Sequence, residues 1–170
     1  MSMSKPFFAS LSALIASAVL VPGTGYALDR TTSIAPAAGP CQVSDSSYAA
    51  SFKVRALSSD NVGSGAIYVI CGLPATKELA AVSFKIGLRN QGTSQAASIT
   101  CTAVTGTTTT PPTYYPKTAV VPAGTESQIE WTASDDAGSN TFPKPISITC
   151  ALPSQTGIMT TELVTLTQIN

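Results

Sequence analysis

The chain has 170 residues, nine Lys+Arg against nine Asp+Glu, no histidine, and only 11% charged residues. So balanced a charge, with no basic patch, excludes nucleic acid as a partner. The missing imidazole excludes Ser-His-Asp and Cys-His nucleophiles and the usual His-ligated metal sites, and no glycine-rich phosphate loop of standard spacing is present. No cofactor and no metal are expected.

The N-terminus opens with one basic residue, Lys5, then an apolar run from Pro6 to Val21, and then Pro22-Gly23 with small residues at Gly25 and Ala27. This order describes a cleavable secretory signal, with the cut placed after Ala27, and its short basic start resembles bacterial signals. The run is short of the roughly 20 apolar residues a membrane helix needs, so no span is expected after cleavage. The predicted organisation is a signal peptide over 1–27, a flexible lead-in of small, polar and proline residues over 28–40, and a single domain over 41–170. The predicted compartment is secreted or periplasmic.

All four cysteines, Cys41, Cys71, Cys101 and Cys150, follow the signal. An even count in an exported chain reads as disulfides. Four cysteines allow three pairings, and an internal repeat suggests one of them. Ala66–Pro74 (AIYVICGLP) and Pro145–Pro153 (PISITCALP) each alternate apolar residues into a cysteine and continue x-Leu-Pro. Pairing each repeat's cysteine with an earlier one gives Cys41–Cys71 and Cys101–Cys150. Closing loops of these lengths is worth about 3.5–4 kcal/mol each in a chain-entropy account. The cysteines lack the C-x-x-C spacing of a metal knuckle.

Beyond the lead-in, Phe52, Val54 and Ala56 alternate with Lys53 and Arg55, the pattern of a strand with one wet face. Ser58–Gly65 (SSDNVGSG) reads as a turn cluster. Val82, Phe84, Ile86 and Leu88 then point one way, with Ser83, Lys85, Gly87 and Arg89 toward solvent. Ala97, Ile99, Cys101 and Ala103 resume the alternation. Residues 105–118 (TGTTTTPPTYYPKT) form a proline- and threonine-rich break. Ile129, Trp131 and Ala133 mark another strand, Ser134–Asn140 a polar loop, and the second repeat leads to a closing apolar run. Short strands at regular spacing predict an all-β fold, an antiparallel β-sandwich of jelly-roll or immunoglobulin-like type. If that sandwich is open, a strand such as Val82–Leu88 would offer an edge to a partner strand.

Three functions follow. Missing catalytic residues and disulfide stapling place first an exported, non-catalytic protein with a structural or protein-interaction role. The alternative is a carbohydrate-binding or surface-adhesion module, with Tyr114, Tyr115 and Trp131 as the rings to stack on sugars, although Trp131 shares its face with Ile129 and so points to the core. The second alternative is a carboxylate-dependent, glycoside-active enzyme. Its candidates are Glu126, Glu130, Asp135 and Asp136, and it would need two carboxyl groups roughly 5–10 Å apart. Asp135–Asn140 also offers oxygen atoms to Ca²⁺, without the alternating spacing of a calcium loop. The partner is accordingly an unidentified protein or glycan.

Overall fold

The computed structural model describes residues 27–73, 80–107, 109 and 111–169. The expected signal segment, residues 1–27, lies outside the described residues except for Ala27. In chain order the described elements are β1 (Ala27–Pro36), β2 (Cys41–Val43), β3 (Phe52–Arg55), β4 (Ser58–Asn61), β5 (Ile67–Gly72), β6 (Ala80–Asn90), β7 (Ala97–Thr105), β8 (Thr113–Val121), β9 (Glu126–Thr132), the single-turn α1 (Ala133–Asp136), β10 (Ile146–Leu152) and β11 (Thr156–Ile169). Every pairing is antiparallel. A five-stranded sheet runs β2-β5-β10-β7-β8, and a six-stranded sheet runs β3-β4-β11-β6-β9 with β1 also against β11. The two sheets enclose one core, so the fold is an antiparallel β-sandwich.

The repeat lies at the centre of the five-stranded sheet, where β5 and β10 pair with each other and Ile70 stands opposite Thr149. Those two residues are equivalent in the repeat, so the copies are related by a local two-fold through that pair. Cys71 and Cys150 sit one residue beyond it on either strand, and each is bonded outward to the flanking strand. Cys41 on β2 faces Cys71, and Cys101 on β7 faces Cys150, with Cα atoms 4.0 Å apart in both disulfides. Alternation turns all four inward, where they pack with Ile67, Val69, Ile99 and Ile148.

Opposite them, the six-stranded sheet contributes Phe84, Ile86, Leu88, Ile129 and Trp131. Phe84 stacks on Trp131 at 5.2 Å between ring centres and meets Phe142 at 4.7 Å, while Tyr115 reaches Phe142 edge-on at 5.5 Å. Trp131 is 0% exposed, and its Nε1 donates to the Tyr115 carbonyl at 2.8 Å. A buried indole N–H needs such a partner.

Four local expectations are corrected. Residues 28–36 of the lead-in, with Ala27 before them, form β1, laid along β11 in unbroken register from Ala27↔Ile169 to Pro36↔Thr160. Backbone hydrogen bonds supply what its composition lacks in apolar contact. The cluster read as a turn at Ser58 begins instead with β4, whose four residues are all buried. Polar side chains survive there because each has partners. Ser59 Oγ donates to the Ala37 carbonyl at 3.1 Å, and Asn61 Nδ2 donates to the carbonyls of Gly65 and Leu152 at 2.7 and 2.9 Å. The alternation of β6 also changes phase: Val82 is only half-buried while Ala81 and Ser83 are buried, because the ladder with β11 shifts between Ser83↔Val164 and Ala81↔Thr165. One extra residue in a strand turns the preceding side chains to the other face. Finally, β6 is no edge; it lies between β11 and β9.

Candidate functional site

With the core residues of the five-stranded sheet pointing inward, its other set faces out. On β8 these are Tyr114, Pro116, Thr118 and Val120, because the strand extends over 113–121 and takes both tyrosines out of the expected loop. Pro116 is tolerated because β8 is an edge strand. On β7 the outward set is Ser98, Thr100, Thr102 and Val104, and on β10 it is Ser147, Thr149 and Ala151. On β5 it is Tyr68, Ile70 and Gly72.

The register sorts these into rows across the sheet. One runs Tyr114–Val104–Ser147–Gly72, the next Pro116–Thr102–Thr149–Ile70, and the third Thr118–Thr100–Ala151–Tyr68. The Thr100 and Thr118 hydroxyls hydrogen-bond each other at 2.8 Å. Tyr114 is 61% exposed at one corner and Tyr68 is 49% exposed at the diagonal corner. Tyr48, half-buried beyond β2, tilts against Tyr68 with ring centres 6.3 Å apart. The face is therefore a hydroxyl field between two exposed rings. No charged side chain stands in any of its rows.

The structure separates the three aromatics proposed from the sequence. Only Tyr114 presents its ring outward. Tyr115, the next residue on the strand, turns inward to Phe142, so the pair cannot act together. Trp131 is removed as a ligand-stacking residue by its complete burial. Tyr68 was missed. Its signal lay in the first repeat: once Ile67, Val69 and Cys71 are assigned inward, Tyr68 must point out.

The four candidate acids lie elsewhere. Glu126 and Glu130 face outward on β9, in the other sheet, with Gln128 between them. Four residues along a strand put their Cα atoms about 13 Å apart. Glu130 lies 3.7 Å from Lys85. Asp136 accepts from Lys117 Nζ and the Thr132 N–H, both at 2.8 Å, and Asp135 accepts from Thr132 Oγ1 at 2.8 Å and Ser134 Oγ at 3.1 Å. These two carboxylates fasten α1 to Lys117 in the middle of β8 and to Thr132 at the end of β9. Among the described residues no group of three or more Cys, Asp or Glu is placed to hold a metal, and no helix is long and apolar enough to cross a membrane.

Cavities of about 590, 470 and 460 Å³ open beside residues 106–112, beside residues 92–98, and over Gly87 on the outer face of the six-stranded sheet. None takes Thr100, Thr102, Thr118 or Thr149 into its lining.

No protein-family model matches the chain, and no curated protein matches it. Solved structures do resemble it. One, described for the promiscuous specificity of carbohydrate-binding modules from the β-sandwich superfamily, is 14% identical with a TM-score of 0.40; the match covers 86% of this chain and 57% of that one. The chain thus spans little more than half of that neighbour's length. A family 11 carbohydrate-binding module from Clostridium thermocellum, in complex with a β-1,3-1,4-mixed-linked tetrasaccharide, is 9% identical with a TM-score of 0.39, covering 81% and 87% of the two chains. TmCBM61, in complex with β-1,4-galactotriose, is 6% identical with a TM-score of 0.38, covering 81% and 88%. These neighbours are carbohydrate-binding modules, which corrects the order reached from the sequence. The structural or protein-interaction role placed first there is therefore not carried further. Likenesses this loose transfer no residue and no ligand, so the case for a site rests on the chain's own geometry.

Proposed function

We propose that the protein is an exported, non-catalytic glycan-binding module whose ligand lies on the outer face of the five-stranded sheet. The observation that carries this reading is the placement of Tyr114 and Tyr68, both exposed, at opposite corners of rows of threonine and serine hydroxyls. Sugars present two kinds of surface, C–H patches and hydroxyl edges. A tyrosine ring offers a broad apolar face to the first. Threonine and serine, each able to donate and accept, match the second. A sheet holds these groups at fixed spacing, so little side-chain entropy is lost on binding. The two disulfides beneath the face suit an oxidising, extracytoplasmic setting.

Replacing Tyr114 and Tyr68 by alanine, singly and together, tests the reading by depletion from polysaccharide suspensions and by affinity electrophoresis. Each single change is expected to weaken binding roughly tenfold, the equivalent of about 1.4 kcal/mol, while thermal unfolding stays near the parent's. Tyr115→Ala is the control: it removes a ring packed on Phe142, so it lowers stability rather than affinity. Unchanged binding in the double variant would remove this face as the site.

A further inference from the structure

Resting on the glycan-binding reading, we infer the class of glycan: the face takes the surface of an uncharged, insoluble polysaccharide, with several packed chains beneath it, rather than one soluble chain or an anionic glycan. Three observations carry this.

The first is charge. The chain holds nine cations and nine anions, yet none stands in the three rows of this face. An anionic glycan would find no cation to meet it there, and a desolvated charge without a partner is costly. A neutral ligand loses nothing.

The second is relief. Between the two tyrosines the rows carry short side chains, Thr100, Thr102, Thr149 and Ala151 beside Val104 and Ile70, and none of the cavities described above is lined by these threonines. A level platform touches a single chain from one side only, and a free chain must also give up its conformational freedom to lie straight. Chains already packed in a solid have lost that freedom before the protein arrives, so the same contacts yield more net affinity.

The third is span. Tyr114 and Tyr68 are separated by three strand spacings and by four residues along the strand direction. Standard sheet dimensions put their Cα atoms about 20 Å apart on the diagonal. Rings so far apart and off axis are placed to contact different chains of a packed surface.

The test uses the oxidised protein in three arms: washed microcrystalline cellulose and chitin powders, soluble oligosaccharides of the same linkages, and polygalacturonate. Depletion by at least one neutral solid is expected at roughly tenfold or more lower protein concentration than binding to its soluble counterpart. Binding should change by less than about twofold between low and high salt, since no charge is screened. Thr118→Glu, an exposed change that puts a carboxylate into the hydroxyl rows, should lower capture by the solid at least roughly tenfold. Equal affinity for soluble chains, salt-sensitive capture by polygalacturonate, or indifference to Thr118→Glu would overturn this inference and leave glycan binding standing. If folded protein binds none of the three, the functional reading falls with it.

Discussion

The outer faces of the two sheets use the same backbone geometry for opposite ends. On the six-stranded sheet two groups of outward side chains are charged and pair with one another. Asp60 is 0% exposed although it lies on that outer side, because Arg55 and Arg89 close over it. Arg89 Nε donates to Asp60 Oδ1 at 3.0 Å and its Nη2 reaches both Asp60 Oδ2 and Ser58 Oγ. Farther along, Lys85 stands between Glu130 and Glu162, 3.7 Å from each. In the five-stranded sheet, among the described residues, the outward positions of β5, β10, β7 and β8 carry no charged side chain, and both disulfides lie on its inner side. Covalent cross-links between β2 and β5 and between β10 and β7 relieve its outer side chains of structural duty. Groups not needed for cohesion are free for recognition, and the proposed site lies on the cross-linked sheet.

If that division holds, the largest loss comes from the covalent side. Replacing Cys101 and Cys150 together by alanine opens a loop of 49 residues, with an expected loss of about 4 kcal/mol in urea unfolding. The Cys41/Cys71 pair closes 30 residues and should cost slightly less, about 3.6 kcal/mol. A double replacement that costs under about 1 kcal/mol would show that the sheet holds without its cross-links, and the comparison would lose its basis.

Next in size is the buried carboxylate opposite. Asp60→Ala leaves Arg55 and Arg89 facing a vacated, partly buried site, and breaking a buried pair this way costs about 3 kcal/mol. Gly157 provides an independent route to the same network. A β-carbon there would run into Asp60 Oδ1 and lie 3.1 Å from the Ser59 carbonyl, both held by the β4–β11 ladder at Gly157↔Asp60. Gly157→Ala is expected to cost about 2 kcal/mol, as overpacking does. Because both changes act on one carboxylate, the double variant should lose less than the sum. Additive losses would mean that Gly157 serves something other than Asp60.

The contrast between the faces also marks what could be read from the chain. The cysteine pairs and the strands around them were legible because alternation and the repeat state the same thing twice, and Ile67, Val69 and Cys71 leave no second choice of face. Four features were not legible. Ser58–Asn61 has the composition of a turn, and it becomes a strand through partners distant in sequence: Asn61 bonds the Leu152 carbonyl, and Asp60 meets Arg89. Nothing local announces those contacts. β1 is fixed by ladder hydrogen bonds to β11, which composition does not encode. The phase change at Val82 depends on one extra residue in the ladder, invisible to periodicity. Of the candidate site, Tyr114 was found by its type and Tyr68 was passed over. The face itself was hidden, because Thr100, Thr102 and Thr149 carry no motif until two strands set them side by side.

The smallest effect is expected at Lys85, where it separates two accounts of the charged face. Its partners lie on the two flanking strands, Glu130 on β9 and Glu162 on β11, and the three side chains are 27%, 39% and 24% exposed. Exposed pairs of this kind contribute roughly 0–1 kcal/mol, since water competes for each group and long side chains lose freedom on pairing. Lys85→Gln should therefore cost under about 1 kcal/mol. The two glutamates left behind sit two strand spacings apart, about 10 Å, where the remaining repulsion is weak and falls as salt shortens the screening length from about 10 Å toward 3 Å. The urea midpoint at low and high salt measures both parts, and the difference between variant and parent should shrink as salt is added. A loss above about 2 kcal/mol that salt does not touch would place Lys85 in the same class as Arg89. The six-stranded sheet would then be held by its whole outer face rather than by the single buried carboxylate at Asp60.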